Sequence, residues 1–356
     1  MKVSEGVPRW KRIMVSFIVV YPTLFILTHG VAARLNWLPS WLQEVFMVIL
    51  MCTVLSYAAP ALTKLLSVWP NTTGLKMTKP RTIVSTHAGS QHGPITRLID
   101  PSELGEKLKP FIFLDFFNAH VKPGFGFGMH PHSGIATLTW QPSCDVRYQD
   151  TTGENGVLKA GGLEWMNAGG GAWHQGSLDT DGLATGFQLW VPMPPTIEDG
   201  ESFGQYIEPG DVPKITIEGA TLTLMLGQLL VNSKLWSSPI DSHQEMSYFV
   251  LDLIAHSEWN YAVPPDHDVA WAFVFEGDAL VANTKSSREL LVIEGEGHIS
   301  FTSNSVAARI LIGSARKHPH DLVLGSSSVH TNAESLRKGH ERIRAIGNTL
   351  TQQGLL

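Results

Sequence analysis

The pattern of apolar and polar positions divides the chain into two parts of different character. Residues 13–33 and 45–63 contain no Asp, Glu, Lys or Arg, and each run is long enough to cross about 30 Å of hydrocarbon as a helix. The segment between them carries Trp37 and Trp41, which is typical of an interfacial turn. The pattern therefore predicts a transmembrane α-helical hairpin over residues 1–66.

Basic residues predict the orientation of this hairpin. Lysines and arginines flank both runs on their outer sides, whereas the connecting turn offers only Arg34. Because positively charged flanks stay in the cytoplasm, we expect a two-span membrane protein whose remaining domains are cytoplasmic and whose hairpin contacts membrane lipid. The alternatives are a signal peptide, which has a single short apolar core, and a buried core hairpin, which would show polar residues at helical spacing.

The pattern changes to β-rich runs between residues 110 and 330. Stretches such as TLTLMLGQLLV and MSYFVLDLIA alternate with Gly, Asn, Asp and Pro, as strands alternate with turns. After a linker over 67–82, enough residues remain for two β-barrels of ordinary size, which we place at 83–235 and 236–330. Residues 331–356 are predicted to form a C-terminal helix and tail.

Three histidines form a candidate metal site. His130 and His132 stand in GFGMHPHSG, and His174 stands in WMNAGGGAWHQG. Side chains at i and i+2 of a strand share a face, and a strand returning from a later hairpin can deliver the third imidazole. Three imidazoles suit Fe, Cu, Ni or Zn and leave positions open for water or substrate. A lone histidine is more often a surface or hydrogen-bonded residue, but the turn-rich frame around these three favours the metal site.

Several segments in order resemble the pirin family of iron-binding bicupins. The resemblance runs from about residue 80 to the end and rests on FIFLDFF, GFGMHPHSGIATLTW, GVLKAGGLEWMNAGGGAWH, GFQLWVPMPP and VHTNAESLRKG. It implies an all-β bicupin fold, a divalent metal with Fe(II) as the first candidate, and dioxygenase activity on flavonols such as quercetin. A weaker resemblance, of PRWKRIMVSFIVVYPTLF to two-helix anchors that follow monooxygenase-like domains, implies only anchoring.

The resemblance also exposes a departure. Pirins hold their metal through the two histidines of the HPH motif, a later histidine and a glutamate two residues after it, which fall on His130, His132, His174 and Gly176. Glycine offers no carboxylate, and Ala136 leaves the other cupin glutamate position empty as well. Either three neutral imidazoles and water hold the metal with its full charge, or metal binding is weak or absent.

Three functions therefore stay open at this point. The first is a membrane-tethered dioxygenase that acts on a flavonol-like small molecule. The second is a non-catalytic regulatory protein with a protein partner, and the third is a degenerate, metal-free scaffold. Metal analysis separates the third from the others, and oxygen consumption with flavonols separates the first from the second.

Composition excludes other classes. The formal net charge of −6 and the lack of a basic stripe argue against nucleic-acid binding. Cys52 and Cys144 provide neither a disulfide framework nor a cysteine metal motif. A second HPH at His318 and His320 lacks a third histidine in a matching glycine-rich context, so we interpret it as a loop.

Overall fold

The computed structural model describes residues 80–356 without a gap and only part of the chain before them. The described earlier residues are 37–46, 48–50, Tyr21, Phe25, His29, Leu35 and Thr53. The chain divides into two compact units, residues 1–77 and 78–356.

The first unit does not bear out the predicted membrane anchor. Most of the two predicted spans lies outside the described residues. Within those spans, the structure describes as α-helical Tyr21, Phe25, residues 45–46 and 48–50, and Thr53. A crossing helix needs about 20 consecutive, predominantly apolar residues. Within the described residues, no helix has the length and apolar character to cross a membrane. The prediction of a two-span membrane protein with cytoplasmic cupin domains is therefore wrong.

The second unit is built almost entirely from β-strands, which confirms the predicted all-β class. Its strands are β1 Thr82–His87, β2 Ser90–His92, β3 Ile95–Ile99, β4 Phe113–Val121, β5 Gly126–His132, β6 Ile135–Trp140, β7 Val146–Asp150, β8 Asn155–Leu158, β9 Leu163–Asn167, β10 Ala172–Leu178, β11 Gly182–Pro192, β12 Phe203–Ile207, β13 Lys214–Ile217, β14 Ala220–Val231, β15 Lys234–Ser237, β16 Met246–Leu253, β17 Glu258–Ala262, β18 Val269–Glu276, β19 Ala279–Val281, β20 Thr284–Ser286, β21 Leu290–Glu294, β22 His298–Ser303, β23 Ala308–Ala315, β24 Val323–Leu324 and β25 Val329–His330.

Two helices accompany the strands in residues 80–356. They are α1, Leu104–Leu108, and α2, Ala333–Gln352. The Asn332 side chain accepts a hydrogen bond of 2.9 Å from the backbone N–H of Ser335, which satisfies one of the free donors at the start of α2. The segment predicted as a C-terminal helix and tail, 331–356, contains α2, and the first turn of α2 is fixed by a capping side chain.

The strands form two β-sandwiches. In the first, a seven-stranded sheet in the order β12-β9-β6-β11-β4-β3-β2 accompanies a four-stranded sheet in the order β5-β10-β7-β8. In the second, an eight-stranded sheet in the order β1-β21-β18-β23-β16-β14-β13, with β15 paired to β14, accompanies a four-stranded sheet in the order β17-β22-β19-β20. Residues 83–87 and 214–235, which the sequence prediction placed in the first barrel, therefore pair within the second. That prediction followed order along the chain, whereas strand pairing joins distant segments.

Strand β4 is buried on both faces and joins the two sandwiches. Leu114 and Phe116 belong to a core cluster that includes residues of both sandwiches, and the ring of Phe116 meets Phe273 edge to face at 5.2 Å. Asp115 and Phe117 line the interior cavity of the first sandwich instead. Alternation along one strand therefore couples the shared core to the cavity where the candidate site lies.

The second HPH lies where the loop interpretation expects it, between β23 and β24. His318 is 2% exposed, and its Nδ1 lies 3.3 Å from the side-chain oxygen of Gln244. Burial, followed by the nearby charges of His320 and Lys109, lowers the pKa of His318 to about 4. The ring is therefore neutral in the folded protein.

We expect Phe273→Ala to lower the free energy of unfolding by about 3–5 kcal/mol, because it opens a cavity at the contact between the sandwiches. Urea denaturation measures this value. The matched control is Leu230→Ala, whose side chain is 68% exposed and which should stay within about 0.5 kcal/mol of the parent. Equal effects of the two substitutions would contradict a shared core.

We also expect the stability to fall as the pH is lowered from about 6.5 to about 4, in part because of His318. In this window the unfolded chain binds a proton at His318 that the folded protein does not, so protonation favours unfolding. His318→Gln should reduce the dependence of the unfolding free energy on pH in this window, while substitution of the exposed His92 by Gln should not. An unchanged slope in His318→Gln would rule out this contribution.

Candidate metal centre

Two neighbouring antiparallel strands bring the three predicted histidines together. Strands β5 and β10 pair with His130 opposite His174 and His132 opposite Ala172. His130 and His132 share a face because they are two positions apart on β5. One ring nitrogen from each of the three lies within 4.8 Å of the other two. The expected geometric grouping is present, whereas the role of these residues as metal ligands stays a prediction.

Each imidazole is held by its Nδ1 atom. Nδ1 of His130 lies 2.7 Å from the carbonyl oxygen of Gly128, and Nδ1 of His132 lies 2.9 Å from that of Ser327. Nδ1 of His174 lies 3.0 Å from Oε1 of Glu164. All three partners are acceptors, so each Nδ1 carries the proton and each Nε2 keeps a lone pair. This is the arrangement that orients histidines toward a metal.

Two of the three Nε2 atoms are buried and lack a hydrogen-bond partner within the protein. Nε2 of His132 and Nε2 of His174 are both buried and have no hydrogen-bond partner. Leaving two such atoms unpaired costs free energy. Burial, followed by the nearby His174, lowers the pKa of His130 to about 4, and burial lowers the pKa of His132 well below its ordinary range. Neutral rings with free lone pairs fit a divalent transition metal.

Glu164 is the functional residue that the sequence analysis missed. It lies in β9, its side chain is 6% exposed, and it lines the same cavity as His130 and His174. It therefore supplies a buried carboxylate to a site whose expected glutamate position is Gly176. A signal existed in the sequence, since a single acidic residue interrupts the apolar LEWM run, and buried glutamates are rare unless they are paired.

Gly176 lies beside the histidines and faces open space. It lines the cavity with His130 and His174, and a Cβ atom added there would meet only Cγ1 of Val146 at 3.5 Å. The neighbouring Gln175 does not replace the missing carboxylate, because its side chain donates to Oε1 of Gln149 at 3.0 Å. The backbone at 176 can therefore accept a larger residue, and the vacant ligand position reflects the sequence rather than steric exclusion.

The cavity beside the histidines is small and mostly apolar. It encloses about 80 Å³, which is space for a small number of water molecules. Phe117, Phe187 and Val146 line it together with the polar Gln141. A groove of about 640 Å³ shares Gly126, Phe127, Gln175 and Gly176 with this cavity. Two of these four residues lack side chains, so the wall between cavity and groove is thin.

Comparisons with known proteins agree with the fold and with the histidine motif. The family model described as Pirin matches residues 94–191, and the model described as the Y2318 C-terminal domain matches residues 6–70. A crystal structure of quercetin 2,3-dioxygenase from Acinetobacter baumannii is similar with a TM-score of 0.68 at 21% identity, covering 75% of this chain and 97% of that one. At that identity the likeness shows the bicupin fold alone.

Two curated relatives carry the family assignment. A Pseudomonas aeruginosa protein provisionally named quercetin 2,3-dioxygenase is 30% identical over 251 residues, which cover 66% of this chain and 87% of the relative. A pirin-like protein of Caulobacter vibrioides is 29% identical over 227 residues, covering 62% and 80% respectively. With its two β-sandwiches and its three-histidine cluster, this chain belongs to the pirin family.

Proposed function

We propose that this chain is a metal-dependent dioxygenase of the quercetin 2,3-dioxygenase type, in which His130, His132 and His174 hold Fe(II). The observation that carries the proposal is the orientation of the three imidazoles, with each Nδ1 hydrogen-bonded and two buried Nε2 atoms left without a partner. The name of the Pseudomonas aeruginosa relative supports the reaction type. A metal-free scaffold would gain nothing from burying two unpaired nitrogens.

Bound Fe(II) would supply a Lewis acid for a substrate oxygen and a redox centre for dioxygen. The residues of the chain prepare the site for it. The backbone carbonyls of Gly128 and Ser327 fix two rings, and the Glu164 carboxylate fixes the third. Because the Glu164 carboxyl group accepts this bond, it increases the electron density of the His174 ring.

The surroundings favour a flat aromatic substrate with a polar reacting end. Gln141 lines the cavity, and its buried side-chain oxygen has no hydrogen-bond partner, so it can accept from a substrate hydroxyl. The cavity alone is smaller than the roughly 300–1,000 Å³ typical of ligand sites. We therefore place only the reacting end of a flavonol in the cavity and its remaining rings along the adjoining groove, past Gly126 and Gly176.

Metal content tests the site directly. We expect the purified chain, loaded anaerobically with Fe(II), to retain metal through the three histidines, and His174→Ala to lose it. Glu164→Gln keeps a hydrogen-bond acceptor but removes the charge, so the metal affinity should fall about 10–100-fold. Competition with a chelator measures this affinity. The matched control is Glu154→Gln, on an exposed turn, which should bind like the parent; equal affinity of both variants would show that Glu164 does not act on the metal.

Oxygen consumption tests the reaction. We expect the iron-loaded chain to consume dioxygen with quercetin, and His130→Ala to abolish this consumption. Gly176→Glu should strengthen metal binding at least about tenfold, or ~1.4 kcal/mol, because it adds a charged oxygen beside the histidines. Tight metal binding without any oxygen uptake on flavonols would overturn the dioxygenase proposal, and unchanged affinity in Gly176→Glu would place residue 176 outside the coordination sphere.

A further inference from the structure

A second cluster of potential metal ligands lies where the C-terminal segment meets the first sandwich. It consists of Glu198 and Asp199, from the loop after β11, and His330, from β25. One donor atom from each lies within 4.8 Å of the others. The His330 and Glu198 side chains are 0% and 1% exposed, whereas Asp199 is 38% exposed. The cluster is thus buried on two sides and open to solvent on the third.

Hydrogen bonds orient both carboxylates. Glu198 accepts from the backbone N–H and from the hydroxyl of Thr331, each at 2.7 Å. Oδ2 of Asp199 accepts from the hydroxyl of Ser335 at 2.8 Å. Oε2 of Glu198, which also accepts the Thr331 N–H, and Oδ1 of Asp199 face Nδ1 of His330, each at 3.5 Å. Supporting bonds of this kind are typical of carboxylates that bind a metal.

The Nε2 atom of His330 has a hydrogen-bond partner of its own. The Ser133 hydroxyl donates to Oγ of Ser328 at 2.9 Å, so it accepts from Nε2 of His330, which lies 3.0 Å away. Nε2 therefore donates to Ser133, and the other ring nitrogen, Nδ1, faces the two carboxylates. That atom is buried and has no hydrogen-bond partner. A lone pair that faces two carboxylate oxygens is repulsive unless a positive charge lies between them.

The distances indicate which positive charge fits. A protonated ring that donates to a carboxylate would lie about 2.7–2.9 Å from its acceptor, which is shorter than the 3.5 Å found to both oxygens. Ligands placed about 2.1 Å from a tetrahedral zinc ion are roughly 3.4 Å apart. The spacing therefore matches neighbouring ligands of one metal ion better than it matches a direct hydrogen bond.

We propose that Glu198, Asp199 and His330 bind a second divalent cation of the zinc class, distinct from the ion at the three histidines. One imidazole and two carboxylates form a donor set suited to Zn²⁺. The exposed side of Asp199 provides the entry path and room for a water ligand. The ion fastens the start of α2 to the first sandwich, because Thr331 and Ser335 hold the two carboxylates.

The second site also adjoins the first. Ser327, whose carbonyl accepts from Nδ1 of His132, lies three residues before His330 on the same segment. Ser133, which bonds to His330, directly follows His132 in the chain. A cation at the second site therefore stabilises the segment that orients a ligand of the first site, although it lies outside that site.

Zinc content in a chain that lacks the first site tests the proposal. In the full chain, His130, His132 and His174 are each replaced by Ala, and the protein is stripped with a chelator and then reloaded with Zn²⁺ alone. We expect one zinc ion per chain by elemental analysis. Adding His330→Ala should reduce the content to none, and Asp199→Asn should weaken zinc binding at least tenfold. The exposed His92→Ala is the matched control and should leave the content at one.

Two further measurements keep the result decisive if a buried substitution prevents folding. Asp199→Asn changes a partly exposed side chain and reports on the site without His330→Ala. Anomalous scattering from zinc-soaked crystals of the unsubstituted chain should show a peak between the three side chains. Absence of that peak, or zinc binding in the first-site variant that neither His330→Ala nor Asp199→Asn affects, would overturn the proposal. Either result leaves the Fe(II) test at the three histidines unaffected.

Discussion

The register between β5 and β10 is the constraint on which the candidate centre depends. It places His130 opposite His174, and with the two-residue period of β5 it brings three imidazoles into one cavity. A slip by one residue would turn His130 and His132 to the other face of the sheet. The correct register buries two Nε2 atoms that have no hydrogen-bond partner, which costs free energy. A bound cation would remove this cost, so cation binding and the strand pairing would stabilise each other.

The sequence predicted the β-strand content and the grouping of the histidines because both follow from local patterns. Alternation predicts strands, and an HPH motif on a strand places two imidazoles on one face. Glu164 was missed because its contact with His174 depends on the pairing of separate strands. The carbonyl of Ser327 could not be predicted at all, since a backbone acceptor 195 residues from His132 leaves no signal in side-chain identity.

The N-terminal prediction failed for a related reason. The absence of charge in a run of residues is compatible with a membrane span but does not require one, and no helix among the described residues has the length and apolar character of a span. The assignment of 214–235 to the first barrel failed because position along the chain does not decide sheet membership. Strands β13 and β15 instead pair with β14, and β14 pairs with β16 of the second sandwich.

Strand β1 has a consequence for how this protein can be divided. It precedes every strand of the first sandwich, yet it pairs with β21 at the edge of the second. A contiguous fragment that contains the candidate centre would therefore either carry an unmatched edge strand or remove one from its neighbour. During synthesis, β1 stays unpaired until β21, about 200 residues later in the chain, has been made. The two sandwiches therefore have to stay together in one gene, and gene fusions that separate them would expose unpaired sheet edges that favour aggregation.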